Sequence, residues 1–347
     1  MIDLLYQNFS RSFQLFLLWV GLGKQNYKNF KDMNFKENDF INYKVVKYYV
    51  LKENFINNLE VQDIHTFDFL FFYQKLGGKK GIELSKKNIF LWFKKFKYSK
   101  NFLWRTDLAS KRFINLLYNY DFICSISNQK EISQINKIIN FHIKRITFEI
   151  SLKKINNISS TEILSLVLIE CCKNSLDTKI NKKLDNLIGT QIDESSMHRS
   201  YNILEHAKFL NNLIEINNIF LFFNIETSQI LKNNILAMTS VLKKYQHTDN
   251  SLPLFNGSNN NYNNIIEKIV EKEQFVTTNA FTKFKNGIAI YKDLKKILFF
   301  DVVQPSNLGF HKDLAAGSLA IELSAYGEKI ITNCGGSEIG GKNPAYL

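Results

Sequence analysis

The sequence predicts an α+β chain of more than one domain, with a long run of helical hairpins followed by a short antiparallel sheet. Three observations carry that prediction. From about Val61 to Tyr245, apolar residues recur at helical spacing between short polar breaks. At 251–258 the stretch Ser-Leu-Pro-Leu-Phe-Asn-Gly-Ser interrupts the pattern, and an Asn-rich run follows. Beyond it the texture changes to brief β-branched and aromatic segments separated by turns.

The bulk numbers agree with this division. A chain of 347 residues, 45% hydrophobic, can bury a large core and exceeds the usual size of one domain. Three prolines and fifteen glycines leave few forced turns, which favours long helices over a loop-rich chain. The expected organisation is an N-terminal helical or irregular segment at 1–60, a helical domain at 61–249, a linker at 250–274 and a sheet domain at 275–347.

In the first segment the apolar run Leu15 to Leu22 is too short to span a bilayer, and Asp3 sits where a signal peptide would carry positive charge. It reads as an amphipathic helix packed on the domain, and no transmembrane segment is expected. In the second, Ile135, Ile138, Ile139, Ile143, Ile146 and Ile150 form one apolar stripe within Glu131 to Leu152, and that stripe must face a core. The connectors are Gly77 to Lys80, Ser127 to Lys130, Asn156 to Ser160 and Gly189 to Ser195. Successive hairpins of this kind close into an α/α toroid or stack into a solenoid. The lack of a fixed repeat period favours the toroid.

After a short helix near Ile265 to Lys272, strands are expected at Gly287 to Tyr291, Ile297 to Val303, Ser318 to Ser324 and Lys329 to Asn333, with a turn at Tyr326-Gly327-Glu328.

A net charge of +13 suits a polyanionic partner such as an acidic polysaccharide, nucleic acid or an anionic membrane surface. The plainer reading is that many lysines solvate helix faces. No nucleic-acid motif accompanies the charge, so nucleic acid ranks third. The cysteines at 124, 171, 172 and 334 show no zinc spacing and read as free thiols; neither a metal nor a cofactor is expected. Phosphate-binding loops and nucleophile elbows are likewise missing from the sequence. Asp193, Glu194 and Glu205 are available as carboxylates for glycoside hydrolysis, but nothing singles them out beyond helix capping by Asp193.

Two polar rows stand out. After Trp104, Arg112, Asn115 and Asn119 lie at i, i+3 and i+7, opposite Phe113, Leu116 and Leu117, and such a row on an inner helix would line a cleft. Arg199, Asn202 and His206 repeat the spacing, backed by Ile203, Leu204, Ala207 and Leu210. Guanidinium and amide groups arranged this way can hold a sugar carboxylate.

Four blocks, in order, resemble the heparinase II/III-like family of polysaccharide lyases, especially its shorter bacterial branch. Trp104 to Asn115 is similar to the pattern W-x-x-x-x-x-S-x-R-x-x-N, and Asp193 to Tyr201 is similar to D-G-[SG]-H-x-x-R-[NS]-P. Leu252 to Gly257 is like the linker ahead of the family's β-domain, and Asp313 to Gly335 is like that domain's opening strand. The resemblance implies an α/α toroid, here an incomplete helical barrel, followed by the first strands of an antiparallel β-sandwich. It also implies β-elimination on an acidic, uronate-containing polysaccharide in the cell envelope or periplasm. A cytoplasmic site stays open, as does the oligomeric state. The candidate catalytic residues are Tyr201, His198 and His311, and the candidate substrate-binding residues are Arg112, Asn115, Arg199 and Asn202. The family's tyrosine falls on Ile203 and its motif histidine on Ser196. In the β-domain the two histidines and the aspartate fall on Asp313, Ala315 and Gly317, and Asn156-Asn157 and Asn140 with His142 are the nearest counterparts of its Asn-His pair. The alternative reading is a glycan-binding or envelope-biogenesis protein without elimination chemistry.

Overall fold

The computed structural model describes residues 62–99, 102–173, 179–258, 269, 287–293, 295–302 and 319–334. The expected segment 1–60 and the tail Lys342 to Leu347 lie outside the described residues, as does the helix near Ile265 to Lys272 apart from Ile269. The chain divides into two compact units, Met1–Ile180 and Asn181–Leu347.

The first unit is helical: α1 (Gln62–Thr66), α2 (Phe69–Leu76), α3 (Gly78–Phe96), α4 (Thr106–Tyr118), α5 (Tyr120–Cys124), α6 (Gln129–Ser151) and α7 (Ser160–Cys172). Capping boxes start two of these, one of them the longest. Asn128 pairs reciprocally with Glu131 at the head of α6, and Ser159 with Glu162 at the head of α7. All six isoleucines of the expected α6 stripe are buried. The α2–α3 hairpin closes tightly because Gly81 has no side chain, since a Cβ there would stand 2.4 Å from Tyr73 O. The expected connector at 77–80 is shorter than its sequence suggests, as α3 already begins at Gly78.

Helix α4 packs against α1, α6 and α7 and is buried along nearly its whole length. At its centre Arg112 is fully enclosed. Its Nε donates to His142 Nε2 at 2.9 Å, one terminal nitrogen to the His65 carbonyl, and the other to the Leu103 carbonyl at 3.1 Å. Its guanidinium carbon lies 4.0 Å from the Trp92 ring centre and 4.7 Å from that of Trp104. No described carboxylate pairs with Arg112. Aromatic faces and carbonyl dipoles therefore take the place of a counter-ion. Burial, then the nearby Arg145, pushes the Arg112 pKa well down from its ordinary value. The contacts nonetheless suit the cation, because every acceptor around it faces an N–H.

Helices α3 and α6 run side by side, joined by Lys86–Glu131 at 2.9 Å, by an edge contact between Phe93 and Phe141, and by Arg145 donating to the carbonyls of Lys97 and Ser99.

The second unit holds most of α8 (Lys179–Gln191), then α9 (Ile203–Phe222), α10 (Gln229–Lys244) and a four-stranded sheet. Gly189 belongs to α8, so the connector expected at 189–195 starts only after Gln191. The strands β1 (Ile288–Asp293), β2 (Lys296–Asp301), β3 (Ile321–Ala325) and β4 (Glu328–Ile331) pair in chain order, all antiparallel. Each of the four expected strands is present, and so is the Tyr326-Gly327 turn.

In β3 the usual sidedness is reversed. Glu322 and Ser324 are fully buried, whereas Ile321 is 43% exposed. His247 explains the inversion by bridging Glu322 Oε2 and Ser324 Oγ, each at 2.9 Å. Glu322 Oε1 also accepts from the Leu254 N–H and from Asn333. Burial works against ionisation of Glu322, but His247, the Leu254 amide, Asn333 and Lys329 outweigh it and hold the carboxyl below its ordinary range.

Two measurements check these arrangements. Arg112→Met removes every bond of the first core's central cation and should cost roughly 3–5 kcal/mol in urea unfolding, with Arg112→Lys failing to restore it. A depressed carboxyl pKa gives stability that is present above the unfolded value of about 4.3 and lost as pH falls through the lower folded value. The unfolding free energy of the wild type should therefore fall more steeply in that acid window than that of Glu322→Gln.

Candidate active site

The expected site residues separate into two groups. Arg112 and Asn115 do not line a cleft. Asn115 is buried and gives its amide protons to the Thr66 carbonyl and to Asp68 Oδ1 at 2.6 Å, while Asp68 Oδ2 pairs with Lys111 at 2.7 Å. The polar row on α4 thus faces the core, where backbone carbonyls, Asp68 and His142 meet Arg112 and Asn115, and Asn119 donates to the Asn115 carbonyl at 2.9 Å. His142 is a core histidine. Its Nδ1 donates to the Ile138 carbonyl, so Nε2 is free to accept from Arg112, and burial, reinforced by Arg112, holds the ring neutral.

The residues around 191–202 build a compact loop between α8 and α9. Residues Ile192 and His198 form an antiparallel bridge, and the Arg199 N–H reaches the Gln191 carbonyl at 2.8 Å. Inside the loop, Asp193 Oδ1 accepts from the Ser195 N–H, the Ser195 hydroxyl and the Met197 N–H, all within 2.9 Å. This aspartate organises the loop rather than capping a helix. Its sequence signal was an Asx turn, Asp193 followed two residues later by Ser195. The other oxygen, Oδ2, accepts from the Tyr201 hydroxyl at 3.0 Å.

Tyr201 sits at φ 51, a conformation that costs a bulky residue about 1–3 kcal/mol. Several contacts hold it there. Asn256 donates to the Tyr201 carbonyl, and Asn202 donates to the Asn256 carbonyl at 2.8 Å. The Tyr201 ring lies against Gly287, where a Cβ would stand 3.1 Å from Cε1 and φ is +124. Nothing local in the sequence marks Asn256 as a partner, because the contact joins residues 55 apart.

Asn202 differs from expectation. It is the N-cap of α9, with Oδ1 accepting from the Leu204 and Glu205 amides, so none of its polar groups faces solvent for a ligand. Because α9 starts at Ile203, Arg199 lies before the helix and the expected row of Arg199, Asn202 and His206 does not exist as one stripe.

His198 is also enclosed. Its Nδ1 accepts from the Ser200 N–H, which leaves Nε2 to donate to Gln191 Oε1 at 3.1 Å. Burial, only partly opposed by Asp193, pulls its pKa down to about 4. His206 accepts the His198 N–H on Nδ1, donates to the Met238 carbonyl, and is likewise pulled down by burial to about 4.

Arg199 remains half-buried, and no described group hydrogen-bonds or ion-pairs with its guanidinium. The loop therefore offers a carboxylate-held phenol at Tyr201 and an unengaged cation two residues away. Ile203, at the family's tyrosine position, is buried. His311 and Asp313 lie outside the described residues. No group of His, Cys, Asp or Glu among the described residues has the arrangement of a metal site, and no described helix is long and apolar enough to cross a membrane.

Solved structures share this fold. Heparinase III matches 78% of this chain and 50% of its own length at a TM-score of 0.60 and 10% identity. A second heparinase III matches 90% of this chain and 61% of its own at 0.59 and 13%. Heparan sulfate lyase HepC from Pedobacter heparinus matches 94% and 61% at 0.54 and 12%. The chain thus spans half to three-fifths of the length of these proteins. No family model and no curated protein matches the sequence. At such identities the likeness is one of fold: helices followed by an antiparallel sheet.

His198 and His206 should both stay neutral until about pH 4 in an NMR titration of the imidazole resonances. An unfolded histidine takes up its proton near pH 6.5, so their burial should make the protein progressively less stable as pH falls from about 6.5 toward 4. His198→Gln should flatten that slope.

Proposed function

We propose that this chain is a polysaccharide-lyase-like protein that acts by β-elimination on an acidic, uronate-containing polysaccharide of the cell envelope or periplasm. One observation carries the reading: Tyr201 Oη donates to Asp193 Oδ2 at 3.0 Å on the same turn as the unengaged Arg199. The likeness in fold to heparinase III and to a heparan sulfate lyase supports it.

Elimination across a uronate has three demands. The carboxylate must be met by a cation or amide, the proton next to it must be removed, and the leaving oxygen must be protonated. Arg199 meets the carboxylate. Tyr201 Oη takes the α-proton while its own passes to Asp193 Oδ2, a carbon–carbon double bond forms, and the bond to the leaving sugar oxygen breaks. The proton then returns through Tyr201 to that oxygen. His198 takes no part in this scheme, because both ring nitrogens are committed and its pKa is near 4.

A second reading, glycan binding without chemistry, is favoured by Ile203, an apolar side chain where the family places its tyrosine. One experiment separates the two. The full chain is incubated with a panel of uronate polymers while the ultraviolet absorbance of unsaturated ends is followed. Under the first reading absorbance rises, Tyr201→Phe abolishes the rise with little change in binding, and Arg199→Ala raises KM by roughly tenfold or more. Binding without any absorbance on every polymer establishes the second reading.

A further inference from the structure

Five exposed lysines of the first unit fall into two rows. On α3, Lys80, Lys87 and Lys94 are exposed and follow one another at intervals of seven, and on α6 Lys130 and Lys137 are exposed at the same interval. Lys144 continues the second row, half-buried. A seven-residue step turns a helix by only about 20° from a full two turns, so each set forms a nearly straight row with charges about 10 Å apart.

The two rows share a side. The contacts Lys86–Glu131, Phe93–Phe141 and Arg145 to the Lys97 and Ser99 carbonyls advance along both helices together, so α3 and α6 are parallel. Lys87 and Lys94 each follow, by one residue, a position of α3 that faces α6. Lys130 and Lys144 each precede, by one residue, a position of α6 that faces α3. For two parallel right-handed helices, a step forward on one and a step back on the other lead to the same side of the pair. The result is two basic rows on one side of the helix pair.

Among the described residues no carboxylate pairs with Lys80, Lys87, Lys94, Lys130 or Lys137. Glu83 is the one acid of α3, and Lys79 stands 3.8 Å from it; Glu131 is taken by the buried Lys86. The first row also carries exposed apolar groups, Leu91 at 46% and Tyr98 at 41%, each four residues beyond a lysine.

We infer that this double row is a docking track for a linear acidic glycan, separate from the loop around Tyr201 and Arg199. Spacing selects the class of polymer. A nucleic-acid strand repeats its phosphate about every 3.4 Å, a period that these rows do not share. A cation about every 10 Å meets the same anionic group of each successive pair of sugars, whose C–H faces can rest on Tyr98 and Leu91. The track shares with the proposed function only the class of polymer, and it requires no elimination chemistry.

The test uses the full chain with heparin as probe, alongside an uncharged glucan, single-stranded DNA and phosphatidylserine vesicles. One variant replaces Lys80, Lys87, Lys94, Lys130 and Lys137 by Gln. A control replaces the exposed Lys182, Lys183, Lys232, Lys243 and Lys295 by Gln, removing the same charge from the second unit. The track variant should bind heparin about tenfold more weakly or worse and the control within about twofold of wild type, with a shallower salt dependence for the track variant alone. DNA and vesicle binding should fall alike in both variants, and the glucan should bind neither. Equal weakening of heparin by the two variants, unchanged binding by the track variant, or a track-specific loss for DNA or vesicles instead of heparin would overturn the inference. Tyr201→Phe should leave heparin binding intact whether or not the elimination assay gives a signal.

Discussion

A guanidinium that no described carboxylate meets lies buried in the first unit, and the segments around it are arranged to tolerate it. Removing a charge from water is costly, and the interior must supply compensating groups in fixed directions. Arg112 obtains them from the end of α1, from the turn at Leu103, from α6 through His142, and from the faces of Trp92 and Trp104. These are segments that an apolar core could pack in several registers. A directional donor set admits far fewer, and His142 must also keep its proton on Nδ1 to accept from Arg112.

The second unit uses the same device with the opposite charge. Glu322 is drawn into the core by His247, a backbone amide and Asn333, and β3 turns its isoleucine outward as a result. The loop at 191–202 is a smaller version, with Asp193 gathering amides, a serine hydroxyl and Tyr201 around one carboxylate. Arg112 and Glu322 tie together segments distant in sequence, whereas Asp193 gathers partners from its own loop. Around Asp193 the arrangement leaves two half-exposed groups, Tyr201 and Arg199.

The sequence was most informative where the signal is periodic and local. The α6 stripe, the strands and the Tyr326-Gly327 turn follow from spacing and turn chemistry alone. It was least informative about direction. Arg112, Asn115 and Asn119 do share a helix face, yet spacing could not say whether that face meets water or protein, because their partners His65, Thr66, Asp68 and Leu103 lie outside the helix. The extent of α9 misled for a related reason. Asn202 was read as a helical residue with an outward amide, whereas an asparagine ahead of an apolar run is also the ordinary way to begin a helix. Glu322 and Ser324 escaped notice because alternation reads polar residues as the wet face. Only a histidine 75 residues earlier reverses that assignment.

That separation also bears on how the chain emerges from the ribosome. At about 5–20 residues per second, several seconds pass between the synthesis of His247 and that of the glutamate it binds. Throughout that interval the newly made 245–258 segment has neither Glu322 nor Ser324 to close upon, so its docking is necessarily a late event in biosynthesis. A nascent chain stalled before β3 would therefore carry this stretch without its anchor, open to chaperones and proteases, however well the preceding helices had already formed.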